Sequence, residues 1–349
     1  MWGEGALSID KDARTVTTTT GETISYDALV MATGSYPFVP PVPGARGDGC
    51  FVYRTLDDLD GIRAAAEKAG PGAVGVVVGG GLLGLEAANA LSLMGMTAHV
   101  VEHNARLMPM QVDEGGGALL ARLVTELGLT VHTGVGTAGI SQADNGIVVE
   151  LSDGSTIDAS LLVFSAGVRP RDQLARDAGI AVGGERGGIL TDLGCVTSDE
   201  NIYAVGECAA VEGRCYGLVA PGYTTAEIVA DRLLGGAADF PGADMSTKLK
   251  LMGVDVASFG DAMATSPGAL EVVLSDASKG TYAKLVVSDD AKILLGGILV
   301  GDASAYASLR PLVGRELPGD PATLISPAGG RSRVQARCPT TPRCARATP

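Results

Sequence analysis

Hydrophobic positions between Val74 and His103 form two short continuous runs with a helix-length apolar stretch between them. The valines at 76–78 make a run that is too short for a helix, whereas the stretch from Leu82 to about Met94 is long enough for one. A second apolar run, AHVVE, follows. The order predicts strand, glycine turn, helix and strand, which is the repeating unit of a parallel α/β sheet.

The rest of the chain shows the same alternation up to about residue 240 and a different pattern after it. Alternating residues predict a β-meander over 4–34 that leads into a buried strand over 27–35. Further helices are predicted at 55–69, about 114–127 and about 224–234, and further strands at TVHTG, IVVEL, LLVFSAG, 187–192 and 202–207. Four strand patterns ahead of a helix rich in alanine and leucine predict a separate α+β domain over 246–312.

The turn inside the first unit carries Gly79, Gly81 and Gly84 at the spacing G-x-G-x-x-G. In dinucleotide-binding units the first glycine permits the tight turn, the second admits a pyrophosphate, and the third lets the helix pack on the strand. Glu102 follows Gly84 by eighteen residues, where a carboxylate can accept hydrogen bonds from ribose hydroxyls. An acid there repels a 2′-phosphate, so NADH is favoured over NADPH. Arg106 weakens this preference for NADH, because its guanidinium could pair with such a phosphate.

Two alternatives compete with this interpretation. The chain has 50 glycines, so chance matches to the spacing are expected, and the apolar stretch over 73–101 has the length of a membrane helix. The preceding strand, the following helix and the acid at the right distance favour the nucleotide site. Three successive glycines and Glu86 argue against a membrane helix, because they would weaken it in water and cost free energy in lipid.

Charge and composition narrow the class of protein. A net charge of −14 argues against a nucleic-acid-binding surface, and no secretory signal opens the chain, so we expect a cytoplasmic protein. The six cysteines show no metal-ligand spacing, and we predict no metal site. A redox disulfide between Cys208 and Cys215 stays open beside the simpler interpretation that the cysteines are small buried residues. The histidines, which are His99, His103 and His132, are expected to be structural.

Four local patterns occur in one order: ATGS at 32–35, GGGLLGLEAA at 79–88, FSAGVRPR at 164–171 and TSDENIYAVGECA at 197–209. Together they resemble the two-dinucleotide flavoprotein oxidoreductases, which include the pyridine nucleotide-disulfide, rubredoxin and ferredoxin reductases. Further blocks, among them PFVPPVPG, YGLVAPGY and LLGGILVGDAS, resemble the flavoprotein portion of the NAD(P)H-dependent nitrite reductase large subunit. This resemblance extends from about residue 8 to about residue 328.

The resemblance implies an α/β fold in which an NAD-binding domain is inserted into an FAD-binding domain, with an α+β domain at the C-terminus. The implied division is a partial FAD-binding domain over 1–68, a Rossmann-like NAD-binding domain over 69–162, the second part of the FAD-binding domain over 163–240, the C-terminal reductase domain over 241–326 and a basic tail over 327–349.

The resemblance also assigns cofactor contacts. NADH is expected at Gly79, Gly81, Leu83, Gly84, Glu102, Arg106 and Gly167, and FAD at Thr33, Gly34, Arg54, Gly206 and Glu207. Glu207 would accept hydrogen bonds from the ribityl chain, whereas Arg54 would reach the pyrophosphate or else be a solvated surface charge. Glu86 lies near the nicotinamide or pairs with a basic residue at the domain boundary. No catalytic side chain is assigned, because the cofactors carry the hydride transfer.

Both ends depart from the pattern of the family. A first G-x-G-x-x-G unit for FAD is implied, but none precedes Gly79, so we expect this polypeptide alone to purify without stoichiometric flavin. From Arg331 onward the chain carries five arginines and no acidic residue. This break predicts disorder or an altered reading frame, with Cys338 and Cys344 neither ligands nor a disulfide. A basic nucleic-acid-binding arm is the alternative.

The function implied by the resemblance is the electron-input part of an assimilatory-type nitrite reductase large subunit. Hydride would pass from NADH to FAD, and electrons would pass onward to iron-sulfur and siroheme centres outside this segment. The alternatives are a stand-alone NADH reductase for a rubredoxin- or ferredoxin-type carrier and a non-catalytic NAD-binding fragment. The expected partners are the downstream centres or a small electron carrier, with no nucleic acid and no membrane, and homodimer formation is left open.

Overall fold

A computed structural model describes residues 3–184 and 186–326 of the chain. The tail over 327–349, for which disorder or an altered reading frame was predicted, lies outside the described residues, together with Cys338 and Cys344.

The first segment is an antiparallel meander followed by two very short strands. The meander consists of β1 (Ala6–Asp10), β2 (Thr15–Thr18) and β3 (Thr23–Ser25), and the two short strands are β4 (Leu29–Met31) and β5 (Ser35–Pro37). The prediction of a long buried strand over 27–35 is wrong, because β4 has three residues and Val30 in its centre is 40% exposed. Among the described residues β4 pairs along one edge only, with a strand that comes much later in the chain.

The nucleotide unit is built on a five-stranded parallel sheet with its helices in between. Its elements up to residue 133 are β6 (Cys50–Val52), α1 (Leu56–Ala69), β7 (Val74–Val78), α2 (Leu82–Leu93), β8 (Thr97–Glu102), α3 (Glu114–Glu126) and β9 (Thr130–Thr133). The sheet therefore begins at Cys50, whereas the sequence-based division placed 50–68 with the preceding domain. Thr55 caps α1 reciprocally with Asp58, so the helix start follows from a local capping box.

A small antiparallel sheet covers one face of the parallel sheet. It consists of β10 (Thr137–Ala143), β11 (Gly146–Leu151) and β12 (Thr156–Ala159), and it leads into β13 (Leu161–Phe164), which completes the order β6-β13-β7-β8-β9. Ile147 and Val149 of β11 pack with Val78, Val101 and Phe164 of the parallel strands. The predicted antiparallel insertion is confirmed, and the α2 and α3 helices cover the other face.

The chain then returns to the first segment. The elements here are β14 (Val168–Pro170), α4 (Gln173–Asp177), β15 (Ile189–Thr191), β16 (Ile202–Ala204), a single 3-10 turn at Gly206–Cys208, β17 (Ala209–Val211), β18 (Arg214–Cys215) and α5 (Val219–Leu233). Strand β14 pairs with β5 and β16 pairs with β4, so the nucleotide unit is an insertion between paired segments. Helix α5 begins five residues before its predicted start, because Pro221 is tolerated in a first turn.

The last unit is an antiparallel sheet in the order β19-β20-β23-β22-β21 with short helices after it. Its elements are β19 (Thr247–Leu251), β20 (Val254–Gly260), β21 (Leu270–Asp276), β22 (Thr281–Val287), β23 (Leu294–Gly301), α6 (Tyr306–Leu309) and α7 (Pro321–Ile325). One face of the sheet shares a core with α3, in which Leu120 and Val124 pack with Val256, Ile298 and Val300. The C-terminal sheet and the nucleotide unit are therefore joined by apolar packing.

Within residues 3–184 and 186–326, no helix is long and apolar enough to cross a membrane.

Replacing Leu120 by alanine tests the shared core. The side chain is 0% exposed, so Leu120→Ala should lower the free energy of unfolding by about 2–5 kcal/mol in urea titrations. The matched control is Leu93→Ala, because Leu93 is 81% exposed and its loss should change the free energy by about 0.5 kcal/mol or less. Similar effects for the two substitutions would contradict this packing.

Candidate functional site

The glycine turn between β7 and α2 combines close packing with open space. A Cβ on Gly79, whose φ is +117°, would clash with the carbonyl of Ser165, and a Cβ on Gly84 would clash with the carbonyl of Gly79. No atom lies within 4 Å of the Cβ position of Gly81. The first and third glycines are therefore required by the protein itself, whereas the second leaves room for a ligand.

The start of α2 opens onto this space. Gly81 is the N-cap residue, so no side chain accepts a hydrogen bond from the first turn, and the first N–H bonded to the helix start is that of Leu85. Unpaired N–H groups and the helix dipole together attract an anion. Leu83 lies exposed in the same turn. The geometry fits the pyrophosphate of a dinucleotide.

Glu102 lies at the end of β8 and is only 6% exposed. Its Oε2 accepts a hydrogen bond from the Gly80 N–H at 2.6 Å, and its Oε1 accepts from the backbone and side-chain nitrogens of Asn104 at 2.7 and 2.6 Å. The carboxylate thus ties the glycine turn to the loop after β8. A carboxylate has about four acceptor positions, so one position on Oε2 is left for a ribose hydroxyl. Sequence analysis missed Gly80 and Asn104.

Arg106 is engaged by backbone carbonyls of the loop before α3. Its Nε donates to the carbonyl of Val112 at 2.9 Å, its Nη2 donates to the carbonyl of Pro109 at 3.4 Å, and its stem lies against Gly117 of α3. The guanidinium is turned toward the start of α3. Two of its three nitrogens are thus engaged by backbone carbonyls.

A second cluster forms around Glu207, in the 3-10 turn after β16. Its Oε2 lies 2.5 Å from Nη2 of Arg54 and accepts a hydrogen bond from the Ser35 hydroxyl at 2.7 Å. Arg54 Nη2 also donates to Ser35 Oγ at 3.0 Å. Sequence analysis placed Arg54 and Glu207 at the flavin separately, and the structure brings them together. It missed the buried Ser35, although this residue closes the ATGS block.

The charge of Glu207 is set by these neighbours. Burial alone would raise the pKa of this carboxyl, but the hydrogen bonds from Arg54 and Ser35 and the charge of Arg54 outweigh burial and lower it below its ordinary value of 4.5. Glu207 is therefore ionised near neutral pH. Its Oε1 has no hydrogen bond from any described residue, and it can accept one from a ligand hydroxyl.

Two strand ends beside Glu207 leave open space. Gly34 follows β4 with φ +69°, Gly206 follows β16 with φ +73°, and no atom lies within 4 Å of either Cβ position. Ligands of parallel sheets bind at the carboxyl ends of the strands, where these turns lie. The Thr33 hydroxyl donates to the carbonyl of Arg171 at 2.5 Å, which orients it from the FSAGVRPR segment.

The remaining residues that the sequence singled out are Gly167, Glu86 and the histidines, and each forms few contacts of its own. Gly167, with φ +93° and an open Cβ position, accepts a hydrogen bond from the Phe38 N–H at 2.9 Å. Glu86 is half-buried on α2, and it forms no ion pair with any described residue, which does not support the alternative of a domain-boundary pair. The His99 and His132 rings share a hydrogen bond of 3.2 Å between neighbouring strands.

The described cysteines are all free, and no group of three or more metal-ligating side chains occurs within the described residues. The buried thiol of Cys208 donates to the carbonyls of Met31 and Val205, whereas that of Cys215 donates to the carbonyl of Gly187. Burial raises the pKa of the Cys215 thiol. A disulfide between Cys208 and Cys215 is not formed.

Comparisons with known proteins decide the family. The family model described as pyridine nucleotide-disulphide oxidoreductase matches residues 1–228. The chain belongs to this family. Its members are NAD(P)H-dependent flavoprotein oxidoreductases that bind FAD and NAD(P)H. A second model, described as the rubredoxin NAD+ reductase C-terminal domain, matches residues 246–317.

Relatives with known names support the more specific resemblance. The chain is 53% identical to the nitrite reductase [NAD(P)H] large subunit of Klebsiella oxytoca over 95% of its own length and 35% of the relative. The corresponding values for the Escherichia coli nitrite reductase (NADH) large subunit are 47%, 93% and 38%. The chain thus spans little more than a third of these relatives. It is 35% identical to the rubredoxin-NAD(+) reductase of Alcanivorax borkumensis, over 80% of this chain and 71% of that protein.

Solved structures confirm the fold. An NAD-dependent persulfide reductase from A. fulgidus superposes with a TM-score of 0.79 at 26% identity, over 90% of this chain and 62% of that one. An FAD-dependent pyridine nucleotide-disulphide oxidoreductase from Desulfovibrio vulgaris gives a TM-score of 0.72 at 30% identity, over 87% and 80%. The predicted two-nucleotide architecture with a C-terminal domain is therefore confirmed.

The depressed pKa of Glu207 predicts how pH affects stability. A carboxyl with a lowered folded-state pKa contributes stability that is present above its ordinary value of 4.5 and is lost as pH falls through the folded value. Glu207→Gln should therefore be less stable than the wild type near pH 7, and the difference should shrink below pH 4.5. Melting temperatures across this range measure it. A difference that is constant with pH would refute the ionised pair.

Proposed function

We propose that this chain is the electron-input part of a nitrite reductase large subunit of the assimilatory type. The open turns at Gly81 and at Gly34 with Gly206, each bordered by an acid at a strand end, support the two cofactor sites. The observation that carries the nitrite reductase assignment is the 53% identity to the Klebsiella oxytoca large subunit over 95% of this chain. NADH, when bound, supplies a hydride that FAD accepts, and the electrons pass to iron-sulfur and siroheme centres elsewhere in such a protein.

The NADH site in this proposal uses the glycine turn and the start of α2. The N–H groups that follow Gly81 would hold the pyrophosphate, and Leu83 would flank it. Glu102 would accept from a ribose hydroxyl through its remaining acceptor position. Because Glu102 is a buried acid and Arg106 is engaged by carbonyls, the site favours NADH over NADPH.

The FAD site uses the two turns of the split domain. Thr33, Gly34 and Gly206 would admit the backbone of the flavin nucleotide, and Glu207 would accept hydrogen bonds from its ribityl hydroxyls. Arg54 keeps Glu207 ionised through Nη2, and its other guanidinium N–H groups could donate to a phosphate. Gly167 and Glu86 would lie between the two cofactors.

The domain organisation that we propose follows the sheets. The FAD-binding part comprises the segments before Cys50 and after Val168, which pair with each other, and the NAD-binding part lies between them. The C-terminal part extends from about residue 241 to residue 326. A cytoplasmic location and homodimer formation stay predictions.

A second candidate is a reductase for a small rubredoxin- or ferredoxin-type carrier. The match of residues 246–317 to the rubredoxin reductase C-terminal domain favours it, as does the Alcanivorax borkumensis relative, of which the chain covers 71%. Both candidates require the same NADH and FAD sites. They differ in the acceptor, and rapid reoxidation of the reduced flavin by a purified rubredoxin or ferredoxin would favour the second.

Gly81→Asp tests the NADH site with little disturbance of the fold. A Cβ at this position meets no atom within 4 Å, and the charge of the aspartate would face the pyrophosphate. We expect NADH affinity, measured by calorimetry, to fall by about tenfold or more. Gly319→Asp is the matched control, because Gly319 also has open space around it and lies in the C-terminal part. Equal NADH affinity in the two variants would contradict the assignment of the NADH site to the glycine turn.

A further inference from the structure

The most deeply buried charged side chain in the described part of the chain is Lys284, which is 2% exposed on β22. Its Nζ lies 2.8 Å from Oδ2 of Asp113 and 2.8 Å from Oε1 of Glu271. The hydroxyl of Tyr282 donates to the same Oδ2 of Asp113 at 2.7 Å. Three of these residues belong to the C-terminal sheet, whereas Asp113 belongs to the nucleotide unit. A buried polar network therefore crosses between the two units.

Asp113 is the N-cap residue of α3. Its Oδ1 accepts a hydrogen bond from the Gly116 N–H at 2.9 Å, while its Oδ2 receives Lys284 and Tyr282. Both oxygens of one carboxylate are thus used, one for the helix start and one for the C-terminal sheet. The position of the helix start is fixed by residues of β22.

Three consecutive glycines at the start of α3 show how close this contact is. Glycine is the poorest helix former after proline, so this run weakens the helix. A Cβ on Gly115 would lie 2.7 Å from the ring of Tyr282, and a Cβ on Gly117 would lie 2.8 Å from Cβ of Arg106. The glycines let the C-terminal sheet and the loop before α3 both touch the helix backbone.

The loop before α3 leads to the nucleotide turn. Arg106 Nε donates to the carbonyl of Val112, and the Met108 N–H donates to the carbonyl of Gly80 at 2.8 Å. Leu107 is fully buried against Gly80. The loop therefore spans from the network at Asp113 to the turn that faces the pyrophosphate.

We propose that Lys284 and Tyr282 are positioning residues for the nucleotide site, which act through Asp113 and the loop over 103–112 on Glu102 and the glycine turn. The C-terminal unit would then set the affinity for the adenosine half of NADH, although none of its described residues forms a hydrogen bond with the glycine turn. This inference rests on the proposed binding of NADH at that turn.

The test compares Lys284→Met with Lys279→Met. Lys279 is an exposed lysine of the same unit that pairs with Asp276, so its substitution is a matched control. We expect Lys284→Met to weaken the binding of NADH and of ADP-ribose by about fivefold or more in calorimetry, with its affinity for reduced nicotinamide mononucleotide unchanged. The control Lys279→Met should bind these ligands with wild-type affinity. A general loss of structure would not select the adenosine half.

A double-mutant cycle tests the route. Asn104→Ala removes the side-chain donor to Oε1 of Glu102 and keeps the backbone donor, and in that background Lys284→Met should add less than about twofold to the loss of NADH affinity. Additive losses would show that Lys284 does not act through this loop and would overturn the route.

Tyr282→Phe tests the same positioning role if Lys284→Met does not fold. It removes one hydrogen bond without a cavity, and it should weaken ADP-ribose binding in the same direction, by about twofold. The inference would be overturned if a folded Lys284→Met or Tyr282→Phe protein bound ADP-ribose and NADH as tightly as the wild type does. Failure of the wild type to bind NADH would instead contradict the proposed function.

Discussion

The hydrogen bond from the Gly80 N–H to the buried carboxylate of Glu102 is the interaction on which the nucleotide site depends. It joins the turn after β7 to the end of β8, and the Asn104 donors complete the set. A buried carboxylate without such donors would cost a large desolvation free energy. With them, the acid fixes the shape of the turn, and it keeps one acceptor position for the proposed ribose contact.

The flavin side follows the same physical rule with a different partner. Glu207 also follows a parallel strand, but its donors come from 153 and 172 positions away, at Arg54 and Ser35. The hydrogen bonds join the two segments that flank the nucleotide unit. Each acid therefore organises the open turn beside it. The shared core of α3 and the C-terminal sheet then connects the nucleotide turn to the last unit of the chain.

Local patterns predicted what local physics determines. The bounds of α2 and α3 follow from hydrophobic period and turn residues, and the three roles of the glycines follow from spacing. Contacts between distant segments could not be predicted. The pair of Arg54 with Glu207 depends on topology, the direction of Arg106 depends on the glycines of α3, and the shortness of β4 depends on which strands lie beside it. The two-nucleotide fold was predicted from the family resemblance and could not have been predicted from residue spacing alone.

The most direct test of the account is the anaerobic addition of NADH to the chain after reconstitution with excess FAD, with the visible absorption bands of the flavin followed over time. The account predicts that these bands bleach in the wild type and persist in Gly81→Asp at the same NADH concentration, because the aspartate would repel the pyrophosphate at the proposed NADH site. Persistent bands in the wild type, with both cofactors shown to be bound, would contradict the claim that the two sites work together.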